Sequence, residues 1–490
     1  MKILSPLKIS AALIAAIVVS RPAAAETPPP KPANATTVDS VHTSPLPLAL
    51  HPDNPHYFLF RGKPTLLISS GEHYGAVLNL DFDDIKYLDE LQACGLNHTR
   101  LFTGTYHEVL GAFGIADNTL APKAARFIGP WQRTNTPGEA DGENKFDLTR
   151  FNPAYFDRLT KFLSEASQRG IVVEVNLFCP NYDDSLWNIS PMNDKNNVNG
   201  IGKCGRDEVY TLKHPDLLAV QQAVARKIVE AAAPFDNLYF EVCNEPYFGG
   251  VTMDWQDKIV ETILDAEKDR PAKHLISMNI ANGRKKVEKP NPAVSIFNFH
   301  YCTPPDTVEM NEALNKVIGE NETGFKGSQD VTYRTEGWDF ITAGGGLYDS
   351  LDYSFTTSHS DGSAVGYKAP GGGSHALRVQ LGAMRKFMES FDFIHMKPDN
   401  AIIKGGVQKG TTARALAQPG KQYAVYIKGG THIDLQIDLP AGTYAVRWLN
   451  PTSGEVSKSE TVKSSGGLIT IESPDYTQDV ALGIVSKPEN

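Results

Sequence analysis

From about residue 46 onward, hydrophobic runs of strand length alternate with amphipathic segments of helical length. The clearest run spans residues 171–178 and follows an amphipathic stretch, 154–169, that is closed by Gly170. This alternation is typical of βα units, in which helices cover a parallel sheet. The runs lie in residues 65–70, 96–102, 171–178, 237–243, 274–279, 294–300, 316–322 and 345–355. Eight such units predict a complete (β/α)₈ TIM barrel over residues 46–398.

The periodicity changes after about residue 398. Short runs of strand-like sequence, separated by turns rich in Gly and Pro, occupy residues 423–427, 433–437, 443–448 and 467–471. This spacing predicts a small antiparallel β-sandwich over residues 399–490. We favour a sandwich that braces the barrel over one that binds sugar, because its strands present no row of aromatic residues. The pattern of residues 57–64, a short apolar run followed by Arg61-Gly62-Lys63-Pro64, predicts a β-hairpin that covers the floor of the barrel.

The N-terminal residues have the pattern of a secretory signal. Two lysines precede an apolar core over residues 9–20, and Ala23-Ala24-Ala25 provides a small-residue cleavage site, so residues 1–25 are predicted to be a signal peptide. An uncleaved anchor is the alternative. Residues 26–45 are rich in Pro, Thr and Ala and predict a flexible linker. We therefore expect a secreted or periplasmic protein with no membrane span after signal cleavage.

Charge and cysteine content narrow the possible partners. The formal net charge is −10, which disfavours nucleic acid and anionic membranes as partners and suits a neutral substrate. Five cysteines are too few for a disulfide scaffold, although Cys179 and Cys204 fall in one long loop and either pair there or remain free. No Cys/His spacing resembles a zinc site. The sequence does not specify an oligomeric state.

Two of the predicted strands end in carboxylates. The fourth ends in Asn244-Glu245-Pro246, and the seventh ends near Glu320 and Glu322. Barrel enzymes place their chemistry at the C-terminal ends of the strands. Two strand-end carboxylates, separated by roughly three βα units, form the skeleton of a retaining glycosidase.

The order of elements and the Asn244-Glu245-Pro246 motif resemble those of the clan A glycoside hydrolases. These are (β/α)₈ retaining enzymes with an acid/base on strand four and a nucleophile on strand seven. A closer likeness, to cellulase-like bacterial proteins, is carried by residues 321–325, 338–345 and 351–355. Residues 439–451 resemble the β-sandwich that is appended to many such enzymes.

The resemblance implies a role for each matching residue. Glu245 corresponds to the acid/base, which requires a pKa above the ~4.3 of a free glutamate. Glu322 corresponds to the nucleophile. Glu320 is the alternative, because it would share a face with Glu322 on a regular strand, but the Thr-Gly that follows Glu322 favours the latter. Arg100 corresponds to the arginine that holds the nucleophile charged.

Further residues are implied in substrate binding. Asn244 could hydrogen-bond a sugar hydroxyl beside the acid, and His300 and Tyr301 match a strand-six position that contacts the nucleophile or the substrate. His73, with Tyr74, could bind hydroxyls of the terminal sugar. Stacking platforms for a sugar ring could be Trp338, Tyr353 and Trp187. For Trp338 and Tyr353, a place in the core is the competing interpretation.

The sequence therefore predicts a retaining glycoside hydrolase that acts on a poly- or oligosaccharide, with no metal or cofactor implied. Its first rival is a non-catalytic carbohydrate-binding protein on the same barrel, since fold alone does not specify function. Its second is a metal-dependent barrel hydrolase, which is disfavoured because strand one lacks a His-x-His pair. The glycan, its linkage and the choice between endo and exo action are not encoded in these motifs.

Overall fold

The computed structural model describes residues 46–488. The predicted signal peptide (1–25) and linker (26–45) lie outside these residues. None of the helices within 46–488 combines the length and apolarity needed to cross a membrane.

Eight parallel strands form a nearly closed barrel, which confirms the predicted fold. In chain order, barrel strands one to eight are Leu67–Gly71, His98–Phe102, Val172–Asn176, Leu238–Glu241, Ile276–Asn282, Ile296–His300, Val317–Glu322 and Leu347–Leu351. The backbone ladder runs continuously from strand two round to strand eight and on to strand one. Between strands one and two the Asn97 side chain spans the gap, accepting from the Ile68 amide (3.0 Å) and donating to the Leu66 carbonyl (2.8 Å).

Helices surround the barrel and bury their apolar faces on it. They are α1 (Asp84–Ala93), α2 (Pro153–Gln168), α3 (Asp184–Ile189), α4 (Pro215–Ala232), α5 (Met253–Ala266), α6 (Asp306–Asn311), α7 (Asp330–Thr342) and α8 (His375–Met388). After strand two, a hairpin of Trp131–Pro137 and Asn144–Phe151 is inserted. After strand three, the long loop that contains α3 is held by buried asparagines such as Asn197, which donates to the Asn193 and Ile201 carbonyls.

The barrel interior is polar and charged. Side chains alternate along each strand, and on strands two, three and four the interior receives Arg100, Glu174 and Glu241, all of which are buried. Barrel interiors are more often filled by Val, Ile and Leu. Burial of a charge is unfavourable unless the charge has an ionic or hydrogen-bonding partner. These strands are therefore joined by side-chain bonds as well as by their backbone ladders.

The floor of the barrel is closed by a three-stranded antiparallel sheet of Ala49–Leu50, Phe58–Phe60 and Lys63–Thr65. Phe58 and Phe60 pack against residues at the beginning of several barrel strands, including Leu67, Val317 and Leu347. The floor predicted from residues 57–64 is therefore confirmed, and the opposite, C-terminal end of the barrel is the end left open.

Two antiparallel sheets follow the barrel. The larger contains Lys397–Pro398, Thr412–Gln418, Gln422–Lys428, Asp479–Ser486, Gly442–Leu449 and Val456–Ser464, and the smaller contains Ile403–Gly405, Asp434–Leu439 and Gly467–Glu472. They enclose a separate apolar core that includes Trp448 and Leu435. The predicted sandwich is thus present, with its first strand at Lys397.

One strand of the larger sheet, Gln422–Lys428, is buried on both faces. Along Gln422–Lys428, Tyr423, Val425 and Ile427 point into the sandwich core, whereas Ala424 and Tyr426 join the core of the barrel. Tyr426 stacks on Trp338 of α7, with ring centroids 5.2 Å apart and planes at 11°. Nearby, Arg334 of α7 bonds Asp479 of the sheet at 2.7 Å. The sandwich is therefore packed on the barrel helices.

Two stacking platforms suggested by the sequence are wrong. Trp338 is fully buried where α7 meets the sandwich, so it is not a platform for sugar. Trp187 is also a core residue, because it is buried and its indole N–H donates to the Cys204 carbonyl at 3.0 Å. Of the two alternatives for Cys179 and Cys204, the structure has the second, since both are free thiols.

Candidate active site

A cavity of about 330 Å³ opens at the C-terminal end of the barrel. Most of its wall is aromatic, and both candidate catalytic carboxylates reach it. The lining residues are His73, Tyr74, Phe102, Tyr106, Glu108, Phe113, Leu120, Tyr182, Asn244, Glu245, Phe248, Asn282, Tyr301, Glu322 and Phe325.

Several lining residues have left-handed backbone conformations. The φ angles of Tyr74, Glu245 and Tyr301 are 59°, 38° and 56°, and each of these residues follows the end of a barrel strand closely. Non-glycine residues with φ in this range are uncommon and concentrate at functional sites. Here the sharp turn brings a functional side chain into the cavity at the end of strands one, four and six.

Three hydrogen-bond donors hold the Glu322 carboxylate. The Tyr74 hydroxyl (2.9 Å) and the Arg100 guanidinium (3.3 Å) donate to Oε2, and the Tyr301 hydroxyl donates to Oε1 (3.3 Å). Since all three are donors, they form the partner set that an ionised carboxylate requires. Glu322 is thereby fixed at the base of the cavity.

Glu245 lies opposite with a different set of partners. Tyr182 donates to its Oε2 at 2.7 Å, Tyr247 donates to its Oε1 at 3.2 Å, and His300 Nδ1 lies 3.1 Å from Oε1. One oxygen of Glu245, one oxygen of Glu322 and a ring nitrogen of His300 all lie within 4.8 Å of one another. An oxygen-to-oxygen distance below 4.8 Å is nearer to the ~5–5.5 Å carboxyl separation of retaining glycosidases than to the ~6.5–9.5 Å of inverting ones.

A bulge in strand seven separates Glu320 from Glu322. The ladder pairs Phe299 with Glu320 but the next residue, His300, with Glu322, so strand seven carries one extra residue, Asn321. Glu320 consequently points away from the cavity, where it accepts from the Cys302 amide at 2.7 Å. Burial and the nearby charge of Glu336 raise the pKa of Glu320 well above its ordinary value. Of the two alternatives, only Glu322 reaches the site.

Glu245 and His300 form a coupled pair. The pKa of Glu245 is lowered from its ordinary value. Burial alone would raise it, but the hydrogen bond and charge of His300 and the bonds from the tyrosine hydroxyls have the larger effect. The pKa of His300 is raised from its ordinary value. Burial alone would lower it, but the charge of Glu322 and the hydrogen bond to Glu245 have the larger effect. The raised pKa expected for Glu245 from the sequence is therefore wrong for this structure, in which the pKa of Glu245 is lowered and that of His300 is raised.

Below the cavity, Arg100 joins three carboxylates. Besides Glu322, it donates through Nε to Glu174 (2.6 Å) and through Nη2 to Glu241 (2.8 Å). The pKa of Glu174 is lowered from its ordinary value. Burial alone would raise it, but the nearby charges of Arg100 and His98 have the larger effect. Burial and the charge of Glu174 raise the pKa of Glu241 to about 8. Arg100 is thus a buried hub and does not line the cavity.

The remaining predicted site residues are placed at different depths. Asn244 lines the cavity, with its Oδ1 accepting from Arg100 (3.0 Å) and its Nδ2 donating to Tyr182 (2.9 Å). His73 lines it too, stacked on Tyr74 and 3.4 Å from Glu108. His300 is fully buried behind the carboxylates, and Tyr353 packs behind His73 without joining the lining.

Sequence reasoning missed several residues of the site. Tyr182 and Tyr247, the partners of Glu245, come from the loops after strands three and four. Glu108, Phe113 and Phe248 lie in loops whose course the strand pattern does not specify. For Tyr247 and Phe248 a signal did exist, since they follow the Asn244-Glu245-Pro246 motif in the sequence.

The donor set also permits a metal ion. Glu245, His300 and Glu322 each offer one ligand atom within the 4.8 Å cluster, and two carboxylates with an imidazole suit several divalent ions. The residues thus fit metal binding as well as acid/base chemistry, so the two must be separated by experiment.

Solved structures with this fold are described as glycoside hydrolases. A crystal structure from Bacteroides vulgatus ATCC 8482, provisionally assigned as a glycoside hydrolase, has a TM-score of 0.65 and 14% identity over 90% of this chain and 83% of that one. A family 5 glycoside hydrolase from the same organism has a TM-score of 0.58 and 15% identity over 90% and 93% of the two chains. Another structure described as a glycoside hydrolase has a TM-score of 0.62 and 15% identity, over 91% and 98%.

No protein-family model matches the chain, and no curated protein is similar to it in sequence. At these identities the structural likeness establishes the fold. The resemblance to clan A glycoside hydrolases that the sequence predicted is confirmed at that level.

The raised pKa of Glu241 predicts a pH-dependent effect of Glu241→Gln on stability. Between the ordinary pKa of 4.5 and the folded-state pKa of about 8, the unfolded chain loses this proton while the folded chain keeps it, so Glu241 destabilises the fold increasingly as pH rises. We expect the stability of Glu241→Gln relative to wild type to shift in favour of the variant by on the order of 1–3 kcal/mol from pH 5 to pH 8, in addition to the pH-independent cost of the bonds to Arg100 that the variant loses. Chemical denaturation at both pH values measures this.

Glu174→Gln is the matched control, because it removes the neighbouring carboxylate, whose pKa is lowered. A charge with a lowered pKa stabilises the fold above pH 4.5, so this variant should be less stable than wild type at pH 8. Equal effects of Glu241→Gln at pH 5 and pH 8 would show that Glu241 has no shifted titration.

Proposed function

We propose that this protein is a retaining glycoside hydrolase that cleaves glycosidic bonds of a poly- or oligosaccharide by double displacement. The observation that carries the proposal is the pair of carboxylates within 4.8 Å, at the ends of strands four and seven, with different partners. Glu322 is held only by donors, as suits a nucleophile. Glu245 lies within hydrogen-bond distance of His300, a second titratable group, as suits an acid that becomes a base.

In the proposed first step, Glu322 attacks the anomeric carbon while Glu245 protonates the leaving oxygen. Arg100, Tyr74 and Tyr301 hold the attacking oxygens in place. In the second step, Glu245 takes a proton from water, and that water releases the sugar from Glu322. The Glu245 hydrogen bonds to Tyr182 and Tyr247 keep its carboxyl at the correct distance during both steps.

Replacement of the two carboxylates tests the proposal directly. We expect Glu322→Gln to abolish sugar release from a panel of glycans, because it removes the nucleophile. We expect Glu245→Ala to lower kcat/KM by about 10²–10⁴-fold, the usual contribution of a general acid, with a smaller loss for activated aryl glycosides whose leaving groups need no proton. Released reducing sugar measures both.

Glu320→Gln is the control, since Glu320 lies outside the cavity and the change is nearly isosteric for a protonated carboxyl. It should retain activity. Binding of glycan without release by wild type would favour the carbohydrate-binding alternative. Loss of activity on treatment with a chelator, restored by a divalent ion, would favour the metal-dependent alternative.

His300→Asn should move the basic limb of the kcat/KM profile to lower pH. In wild type, the last proton leaves the Glu245–His300 pair above the ordinary histidine pKa of 6.5, because the pKa of His300 is raised. Without the imidazole, the proton that is needed for catalysis leaves from Glu245 alone. The kcat/KM profile of the free enzyme reports this titration. An unchanged basic limb would mean that the pair does not share the catalytic proton.

We also propose that the protein acts outside the cytoplasm, as a secreted or periplasmic enzyme. The support is the signal-like sequence of residues 1–25, which lies outside the described part of the chain. The exported protein should begin near Glu26, as measured by N-terminal sequencing after cell fractionation. An intact N-terminus in the membrane fraction would indicate an uncleaved anchor instead.

A further inference from the structure

Three phenylalanines stand half exposed at the mouth of the cavity. Phe113, Phe248 and Phe325 expose 42%, 44% and 42% of their surface and all line the cavity. They belong to the loops after strands two, four and seven. Phenylalanine rings left in water at a cavity mouth indicate contact with an apolar group.

Two of these rings belong to the acid side of the site. Phe113 packs edge-on against Tyr182 (5.4 Å between ring centroids), and Phe248 packs against the same Tyr182 ring at 5.9 Å. Tyr182 in turn donates its hydroxyl to Glu245 at 2.7 Å. We call Phe113, Tyr182 and Phe248 the aromatic wall. It continues directly from the carboxyl that is proposed to protonate the leaving oxygen.

Two polar lining residues, His73 and Glu108, connect instead to the nucleophile side, whereas Asn244 and Asn282 bond the tyrosines that hold Glu245. His73 stacks on Tyr74, whose hydroxyl donates to Glu322, and His73 Nε2 lies 3.4 Å from Glu108. Glu108 is almost fully buried and also accepts from Asn118 at 2.6 Å. Imidazole and carboxylate groups are suited to bind the hydroxyls of the sugar that is transferred to Glu322.

The chemistry assigns the two sides of the cavity to the two parts of a substrate. A general acid must contact the oxygen that it protonates, so the leaving group must lie next to Glu245 and therefore against the aromatic wall. Of the wall's three rings, two carry no polar atom, and the Tyr182 hydroxyl is already bonded to Glu245 and Asn244. This surface offers burial to a leaving group but has no free donor or acceptor for leaving-group hydroxyls.

We propose that the aromatic wall is a subsite for an apolar leaving group, so that the preferred substrates are glycosides of hydrophobic alcohols. This inference rests on the proposed function, because it uses Glu245 as the acid. It refines the substrate class from glycans in general to a sugar linked to an alkyl or aryl group. Burial of each methylene on the wall then contributes to transition-state binding.

A series of alkyl glycosides tests this inference. The sugar is the one that wild type releases in the glycan panel, and the aglycone is methyl, butyl or octyl, each used below its micelle concentration. These alcohols are similar leaving groups, so a rise in kcat/KM along the series reports contact with the protein and not leaving-group chemistry. We expect an increase of about tenfold or more from methyl to octyl.

Phe113→Ala and Phe248→Ala should flatten this dependence on chain length while changing kcat/KM for the methyl glycoside little. The control is Leu110→Ala, which alters a residue of the same loop as Phe113 that is 71% exposed and outside the cavity lining. It should retain the rise from methyl to octyl.

The outcomes separate this inference from the proposed function. If wild type releases no sugar from any substrate, the proposed function fails and the subsite with it. If wild type cleaves methyl and octyl glycosides equally well, and the same-sugar disaccharide better than both, the apolar subsite is overturned while the hydrolase stands. Loss of disaccharide activity in Phe113→Ala and Phe248→Ala would then identify the wall as a stacking surface for sugar.

Discussion

The buried guanidinium of Arg100 constrains the rest of the site. It is only 1% exposed, and a charge at that depth requires partners, because removal of one partner of a buried ion pair typically destabilises a protein by about 3–5 kcal/mol. Its bonds reach Glu174 on strand three, Glu241 on strand four and Glu322 on strand seven. Four strands of the barrel are thereby fixed relative to one another at the level where the cavity begins.

The carboxylates around Arg100 outnumber it, and this excess explains the polar character of the barrel. Three of them touch the guanidinium directly, while Asp349 lies 3.3 Å from His98 nearby. Desolvation favours the neutral form of a surplus carboxyl, as the raised pKa of Glu241 shows. Asn298 and Asn321 donate to the same carboxylate, so Glu241 remains hydrogen-bonded although its pKa is raised. The interior is therefore a bonded network that supports Glu322 from below.

The barrel and the position of Glu245 could be predicted from the sequence, because strand and helix periodicities are local properties. Glu245 follows directly from a strand that ends in Asn-Glu-Pro. The choice between Glu320 and Glu322 required the bulge at Asn321, which depends on how strand seven pairs with strand six. The prediction that Trp338 binds sugar was wrong because the sequence around a helical tryptophan does not show whether it faces the cavity or the sandwich. In the structure Trp338 stacks on Tyr426 of the sandwich.

Loop residues such as Tyr182 and Phe113 could not be predicted for a related reason. Their positions depend on contacts between loops that are far apart in sequence, such as the packing of Phe113 on Tyr182 in the aromatic wall. Strand periodicity specifies where a loop begins and ends but not which of its side chains turns inward. Those side chains nevertheless provide most of the environment of Glu245.

The proposed acid and the proposed apolar subsite reinforce each other. Glu245 is 8% exposed, whereas His300 is already fully buried, so a leaving group seated on the aromatic wall removes water from the carboxylate and not from the imidazole. Loss of water disfavours an ionised carboxylate. On this proposal, an apolar leaving group raises the pKa of Glu245 relative to that of His300 and so favours the protonated form of Glu245. Binding of the leaving group then favours the protonated form of Glu245, which is the form that donates a proton to the leaving oxygen. The lowered pKa of Glu245 in the empty site is thus compatible with its role as the acid.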